Sequence, residues 1–386
     1  MTDAEPDERA GGLSRVEAHV SIWPVLRAWR DIESFSTGSA YQTRGFVLPW
    51  FEFVAPTICA RPLIIVGYDL QGRPAVLLPL VTESRGPFRM ARFAGGKHSN
   101  LNLPLLRPGF SLNAADARAL LAAAAESEAK PDLFLLLNQP RIWAGASNPL
   151  AAFNPRPSPS AAYGATIGPD AEAFLKRIDS AATRKKLKSK AAKLATLGPV
   201  KFERAQDPDR ARTILSAFVA QKTLRFAQKR KDPGFAGVAV RGFLDALATG
   251  HGGGDAALDF YALSVGDRII ATYGGLPRAR GWHGLINSFN PEPEFARSSP
   301  AELLLRHIIR DLSSRGFDRF DLGIGESRYK SAITDETIDL ADAVIPVTPL
   351  GRVGATIELA RLAAKCWVKR TPWALSFVEQ MRAGPV

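Results

Sequence analysis

The chain is poor in the residues that metal and redox sites require. Its 386 residues include two cysteines and five histidines, and Cys59 and Cys366 lie too far apart in the sequence for a metal-binding or redox spacing. The sequence contains no HExxH, GxSxG, Walker-type or paired CxxC pattern. Hydrolysis by a metal, a serine nucleophile or a nucleotide-binding loop therefore has no support, and we expect no metal.

Long apolar runs are also missing. No uninterrupted apolar stretch approaches the ~20 residues that span a bilayer, and residues 1–12 are polar and acidic, unlike a signal peptide. We expect a disordered N-terminus over residues 1–13 and a cytoplasmic protein with reduced thiols. Apolar residues make up 46% of the chain, and this length accommodates two domains with well-buried cores.

The most informative segment runs from residue 258 to residue 333. Residues 261–265 and 269–273 are predicted strands joined by Gly266-Asp267, a two-residue hairpin connection. Residues 282–289 alternate in the same manner and add a third antiparallel strand.

A helix is predicted after these three strands. Ser299 is the expected N-cap, Pro300 the first helical residue and Glu302 the partner in a capping box. Apolar residues follow at helical spacing until Gly316 ends the helix, and residues 317–322 return to the sheet. The predicted order is therefore β-β-β-α-β.

The residues around this last helix and strand resemble those of the acyl-CoA acetyltransferases of the GNAT superfamily, in particular the CelD-like branch. That branch has a "sPxxLL" helix start, here Ser299, Pro300, Leu303 and Leu304, followed by "fDxGxGxxxYK", here FDLGIGESRYK at residues 320–330. The related FemAB-type aminoacyltransferases carry a comparable aromatic-Lys pair. The resemblance thus leaves both branches open.

A repeat predicts that the fold is built twice. Residues 63–81 form a strand-turn-strand unit like residues 261–272, and both turns end in arginine. A helix at 114–125 and a strand at 133–137 follow in the first half. We therefore predict an α/β (α+β) protein of tandem GNAT-like halves, each a mixed, largely antiparallel sheet flanked by helices, at residues 14–160 and 161–350.

Four residues are candidates for the chemistry. The resemblance implies that Tyr329 protonates a leaving thiolate, and Lys330 could hold the oxyanion or the acceptor. Asp321 could orient Lys330 or cap its strand. His283, predicted on the same strand face as Asn287, is the best candidate base, although a lone strand histidine is more often structural.

The GNAT fold places the pyrophosphate of acetyl-CoA or another acyl-CoA at the loop before the predicted helix. Arg297, Ser298 and Ser299 occupy this loop, and an arginine beside helix N-terminal amides is a suitable anion site. The glycine-rich Q/R-x-x-G-x-G/A signature is missing, however, and Glu302 would bring a carboxylate to the phosphates. An ordinary helix cap also explains Ser299 and Glu302.

The net charge of +12 raises the question of an anionic partner. Residues 170–197 are helical and basic, but apolar positions share one helix face, so a solvated amphipathic helix is favoured over specific nucleic-acid binding. A second basic patch at Lys222, Arg225 and residues 229–231 could attract the phosphates of coenzyme A or of an acceptor.

The tail at residues 351–386 forms a basic amphipathic segment. We expect it to pack across its own domain, with peripheral membrane contact as the alternative.

The expected activity is acyl-CoA-dependent N- or O-acyl transfer to an amino sugar, a polysaccharide precursor or another small acceptor, as the CelD-like resemblance implies. The alternatives are an aminoacyl-tRNA-dependent FemAB-type aminoacyltransferase and a non-catalytic binding module of GNAT fold.

Overall fold

The computed structural model describes residues 12–36, 38–228, 237–251 and 258–371. Most of the predicted N-terminal tail, the basic residues 229–231 and the tail beyond Thr371 lie outside the described residues. The strands in chain order are β1 (Arg15–His19), β2 (Arg61–Tyr68), β3 (Pro74–Arg85), β4 (Phe88–Phe93), β5 (Leu105–Leu106), β6 (Leu133–Pro140), β7 (Ile142–Trp143), β8 (Ala146–Ser147), β9 (Pro155–Pro157), β10 (Ala162–Thr166), β11 (Val200–Arg204), β12 (Asp259–Val265), β13 (Arg268–Arg278), β14 (Gly281–Phe289), β15 (Arg319–Ile324), β16 (Glu336–Ile338) and β17 (Leu340–Pro346).

The helices alternate with these strands. In chain order they are α1 (Leu26–Glu33), α2 (Arg44–Phe53), α3 (Ala114–Glu126), α4 (Ala171–Ile178), α5 (Ala181–Ala195), α6 (Pro208–Gln228), α7 (Val238–Thr249), α8 (Pro293–Ala296), α9 (Pro300–Ser314), α10 (Arg328–Ile333) and α11 (Pro349–Arg370). Among the described residues, no helix is long and apolar enough to cross a membrane.

The two large sheets have the same topology. The first has the order β1-β2-β3-β4-β6-β17-β9, and the second has the order β11-β12-β13-β14-β15-β10-β16. In each sheet four antiparallel strands come first, and a helix, α3 or α9, then crosses to a strand that is parallel to the fourth. The predicted tandem mixed sheets flanked by helices are confirmed.

The sheets exchange strands at their far edges. β10 follows the first half in sequence but pairs with β15 of the second sheet, whereas β17 follows the second half and pairs with β6 of the first. Leu340–Pro346 thus lies within the predicted range of the second domain, 161–350, and completes the first sheet. No single cut in the sequence separates the sheets.

Helix α9 begins and ends where the sequence predicts, but its start is built differently. Ser299 has a left-handed backbone (φ 48°) and makes no side-chain cap bond. Lys190 instead donates to the Ser299 hydroxyl and lies 3.7 Å from the Glu302 carboxylate. The predicted capping box is therefore replaced by contacts with α5, because Ser299 turns its hydroxyl away from the helix amides. Gly316 (φ 82°) follows the last turn as predicted.

Apolar clusters join the halves as well as filling them. One cluster combines Tyr41, Phe46 and Leu101 of the first half with Leu276 and Ile286 of the second. Other clusters lie beneath α9 and beneath α3. The predicted basic helix at 170–197 is broken into α4 and α5, and α5 buries Leu187 and Leu194, in agreement with an amphipathic interpretation.

Candidate active site

The strands β14 and β15 separate at the centre of the second half. They pair in parallel only from Gly281 to His283 and from Arg319 to Asp321. Beyond that point β15 continues beside β10, to Ile324. The register between β13 and β14 also shifts, since Gly274 pairs with Ile286 and Gly275 with Gly284. The intervening Leu285 is an extra residue, which reverses the alternation of side chains along β14.

The irregularity in β14 corrects one prediction. His283 and Asn287 were expected on the same strand face, yet they lie on opposite faces. Asn287 contacts Tyr329, whereas His283 contacts Asp321 and the rings of Tyr41 and Trp143 from the first half. An extra residue between them has this effect because strand alternation has a period of two.

A cleft opens on the α9 side of β14. Its volume is about 250 Å³, and it lies between β13, the end of β14, the start of α9, and α10. It is lined by Arg225, Tyr273, Asn287, Phe289, Ala296, Ser299, Pro300, Ala301, Glu302 and Tyr329. Arg225 lies over the Phe289 ring at 4.7 Å, which fixes a cation at the edge of the cleft.

Two tyrosines and an asparagine form a polar group in this cleft. The side-chain amide of Asn287 donates to the Tyr329 hydroxyl at 2.9 Å. Burial, followed by the neighbouring Tyr329, raises the pKa of Tyr273 well above its usual range. Tyr273 is therefore a neutral hydrogen-bonding group over the physiological pH range. Together these groups present hydroxyl donors to whatever occupies the cleft.

His283 and Asp321 form a buried pair on the other face of β14. The His283 Nδ1 and Asp321 Oδ2 atoms are 2.6 Å apart, and both side chains are at most 5% exposed. The Gly323 amide donates to the second carboxylate oxygen at 3.0 Å. Trp143 stacks on the imidazole with ring centroids 5.9 Å apart. The carboxylate thus fixes the orientation of the ring, as in a carboxylate–histidine pair.

The first half contributes polar groups at the point where β14 and β15 separate. The Tyr41 hydroxyl donates to the Gly284 carbonyl at 3.1 Å. The Asn100 amide donates to the same carbonyl at 3.2 Å and to the Tyr41 hydroxyl at 2.8 Å. Burial, and then the charge of Asp321, raises the pKa of Tyr41 well above its usual range. Nothing in the sequence pointed to Tyr41 as a site residue, since Tyr41 and Gly284 are 243 positions apart.

Lys330 lies beside the cleft without lining it. Its ammonium group donates to the carbonyls of Gly323 and Ile324 at 3.2 and 2.7 Å. Burial lowers its pKa from about 10.5 to about 8, against the opposing effects of Asp321 and Glu326. Lys330 therefore holds the turn after β15, whereas the neighbouring Tyr329 reaches the cleft.

The three predicted phosphate-binding residues do not converge. Ser299 lines the cleft, Ser298 is buried, and Arg297 is exposed and lies outside the cleft lining. Glu302 adds a carboxylate to the cleft, and Arg225 is the cation among its lining residues. Arg225 belongs to the predicted second basic patch, so that patch supplies the cation of the cleft.

Of the remaining histidines, His98 and His307 make structural contacts. His98 accepts a hydrogen bond from Trp50 at 3.3 Å, and burial lowers its pKa to about 4. His307 stacks on Phe202. No cluster of His, Cys, Asp and Glu among the described residues could hold a metal ion.

One family model matches most of the second half. Residues 181–331 match the family model described as an acetyltransferase (GNAT) domain. No curated protein matches the chain.

Solved structures resemble the whole fold at low sequence identity. FemX is 11% identical, with 88% of this chain and 100% of that chain covered and a TM-score of 0.60. A conserved protein of unknown function from Bacteroides thetaiotaomicron VPI-5482 is 13% identical (86% and 100% covered, TM-score 0.54). L-PGS from Bacillus licheniformis is 12% identical (91% and 99% covered, TM-score 0.53). The likeness to these three proteins extends over both halves and concerns the fold.

Proposed function

We propose that this chain, whose residues 181–331 match an acetyltransferase (GNAT) domain, transfers an acyl group from an acyl-CoA thioester to an amine or hydroxyl. The observation that carries this proposal is the position of the Tyr329 hydroxyl, which is held by Asn287 in the cleft between β14 and α9. A hydroxyl fixed in a cleft next to a helix start suits a thioester whose sulfur must be protonated as it leaves.

In the proposed reaction, the nucleophile of the acceptor attacks the thioester carbonyl and gives a tetrahedral oxyanion. The carbon–sulfur bond then breaks, and the thiolate takes the phenolic proton of Tyr329. Phenols remain protonated at neutral pH, so the hydroxyl is available as a donor. Because thiols are more acidic than phenols, the proton transfer alone is slightly uphill, by roughly 1–2 pKa units, and breaking of the carbon–sulfur bond draws it forward. Tyr273 and Asn287 supply hydrogen bonds that fix the Tyr329 ring.

For the phosphates of the acyl donor we propose Arg225 as the main contact. It lies at the cleft edge against Phe289, and a guanidinium makes charge-assisted hydrogen bonds with phosphate oxygens. Ser299 can add a hydroxyl from the same cleft. Arg297 and Ser298 do not line the cleft. They would contact the phosphates only if the donor extended beyond the cleft, toward the exposed side of α8.

For the proton of the acceptor we propose His283 as the base. Because Asp321 holds Nδ1, Nε2 is the ring nitrogen left to take the acceptor's proton. The imidazole is on the opposite face of β14 from Tyr329, beside Tyr41 and Trp143. In this arrangement the acceptor approaches from the first half and the acyl donor from α9.

The CelD-like resemblance supports an amino sugar, a polysaccharide precursor or a similar small molecule as acceptor. These acceptors carry the amine or hydroxyl that the proposed chemistry needs. Lys330 is fixed by backbone carbonyls, and we propose that it positions the turn that carries Tyr329.

A second function is favoured by the whole-chain fold likeness to FemX. The FemAB-type resemblance of the Tyr329-Lys330 pair implies an aminoacyl-tRNA donor in place of acyl-CoA. The discriminating measurement is a thermal-shift and transfer screen with acetyl-CoA, longer acyl-CoAs and aminoacyl-tRNA. Stabilisation by acyl-CoA supports the first function, stabilisation by aminoacyl-tRNA supports the second, and failure of all donors supports a non-catalytic module.

Tyr329→Phe tests the chemistry. It removes the proton donor and leaves the ring, so we expect turnover to fall by roughly a hundredfold or more while acyl-CoA affinity is retained. Tyr68→Phe is the matched control, because its hydroxyl bonds Glu17 in the first half and is remote from the cleft. Near-normal turnover by Tyr329→Phe would reject Tyr329 as the acid.

A further inference from the structure

Helix α11 has an apolar stripe that faces away from the protein. Its buried side, with Gly351, Gly354, Ala355 and Glu358, packs against the first sheet. On the opposite side, Val353 is 55% exposed and Ile357 39%. Trp367, near the end of the helix, is 53% exposed and also borders a cavity against Arg156 and Asp342. Ala360 and Ala364 are also exposed. The five positions 353, 357, 360, 364 and 367 thus follow one another at intervals of four, three, four and three residues. These five side chains therefore form one line along the helix.

Cations border this line on both sides. The helix contains five basic residues, Arg352, Arg361, Lys365, Lys369 and Arg370, and one acidic residue, Glu358. Glu358 is buried and is paired with Arg85 and Arg361. Lys369 is turned toward the protein, where it contacts Ser160 and the Glu326 carboxylate. The exposed face of α11 consequently combines apolar side chains with the positive charges of Arg352, Lys365 and Arg370.

The helix is also held rigidly. Leu359 and Leu362 pack with Met90, Leu133 and Val344 of the first sheet. A Cβ on Gly351 would come within 1.7 Å of the Asp132 carbonyl oxygen, so the helix start lies directly against the chain at Asp132. The apolar stripe is thus presented by the fold and is not a loose appendage.

We propose that this face of α11, defined by Val353, Ile357, Ala360, Ala364 and Trp367, binds the surface of an anionic lipid membrane. A helix lying in the interface buries a narrow apolar stripe among the acyl chains, while flanking lysines and arginines contact anionic headgroups. A tryptophan at one end suits the headgroup region.

A second copy of the chain fits this face less well. The spacing of the stripe matches a coiled-coil seam, but paired helices rely on opposite charges beside the seam. Here both flanks are basic, so two copies would bring like charges together. The excess of positive charge matches an anionic lipid surface instead, and the inference is independent of the proposed acyl transfer.

Vesicle sedimentation with the full chain tests the proposal. We expect binding to vesicles of equal parts phosphatidylglycerol and phosphatidylcholine, weak binding to phosphatidylcholine alone, and a decrease with added salt. The double variant Val353→Asp/Ile357→Asp should lose binding by roughly tenfold or more, since it places negative charge in the stripe. Circular dichroism checks that this variant is folded.

Matched controls separate the stripe from general surface properties. Val238 is 88% exposed on α7, so Val238→Asp removes an exposed apolar residue elsewhere. Lys185→Gln/Lys186→Gln removes two charges from the basic helix α5. Both controls should bind vesicles within about twofold of the unmodified chain. Equal loss in the controls, or no binding to anionic vesicles, would overturn the proposal.

The oligomeric state gives a separate check. If light scattering shows a dimer that Val353→Asp/Ile357→Asp converts to monomer, the stripe is an interface between copies and the lipid proposal fails. A monomer that binds anionic vesicles upholds it.

Discussion

Burial gives individual side chains of this protein unusual acid–base behaviour. Lys330 is the clearest case, because burial lowers its pKa to about 8 while two carbonyls accept its protons. In the unfolded chain the ammonium group has its ordinary, higher pKa. Between the two values the unfolded state binds more protons than the folded state, so the cost of the buried charge falls as pH rises.

We therefore expect the stability difference between the unmodified protein and Lys330→Met to change with pH. From pH 7 to 9.5 the unmodified protein should gain roughly 1–3 kcal/mol relative to the variant, which has no titrating group at this position. Urea unfolding of both proteins at several pH values measures this gain. A difference that is constant over the whole range would show that the pKa of Lys330 is not lowered.

Arg225 and Arg297 provide a second comparison of single residues. Arg225 lines the cleft and Arg297 is exposed outside it. If the donor phosphates occupy the cleft, Arg225→Gln should weaken acyl-CoA binding by ~1–3 kcal/mol, and Arg297→Gln should change it by less than ~0.5 kcal/mol. Calorimetry with both variants decides between the positions. If only Arg297→Gln weakened acyl-CoA binding, the phosphates would lie at the loop before α9, as the sequence predicts.

Among the structural elements, the turn after β15 lies directly against the first half. Gly323 has φ 69°, and a Cβ at this position would lie 2.3 Å from the Asn100 amide nitrogen. Gly325 also has positive φ, 99°, but a Cβ there would meet no atom within 4 Å. The two glycines therefore share a left-handed backbone, which would strain any other residue, and they differ in the space around them.

This difference predicts unequal effects of alanine. Gly325→Ala should cost about 1 kcal/mol through backbone strain, and Gly323→Ala should cost about 1–3 kcal/mol more because it also displaces Asn100. Chemical denaturation of both variants measures the two costs. Asn100→Ala should recover part of the stability of Gly323→Ala. Equal costs for the two glycines would mean that Asn100 moves aside freely.

The elements of the second half were largely predictable, whereas the site was not. The hairpin at Gly266, the strands beside it and the helix from Pro300 depend on local signals, and they are confirmed. The extra residue in β14 and the αL conformation of Ser299 follow from tertiary contacts. Tyr41 and Asn100 reach the site from another half of the chain, and no local pattern encodes such contacts.

Over the whole molecule, each large sheet contains a strand that is far in sequence from the strand it pairs with: β17 pairs with β6, and β10 pairs with β15. A chain ended at Ile338 lacks β17, and we expect it to lose cooperative unfolding, because β6 would lose its pairing with β17. A chain ended at Val347 keeps β17 and removes α11. It should retain a cooperative transition at lower stability, since it exposes Leu133 and Val344. Denaturant unfolding of both chains measures the cooperativity of each transition. Equally cooperative unfolding of the two chains would show that β17 is dispensable.

The exchanged strand also governs the order in which a newly made chain can fold. The ribosome completes β1 to β6 long before it reaches Leu340–Pro346, and until then the edge of β6 that β17 covers has no partner. The second sheet, in contrast, receives β10 before its other strands are made. The half that is synthesised first is therefore the half that is completed last, and its open edge needs protection during synthesis.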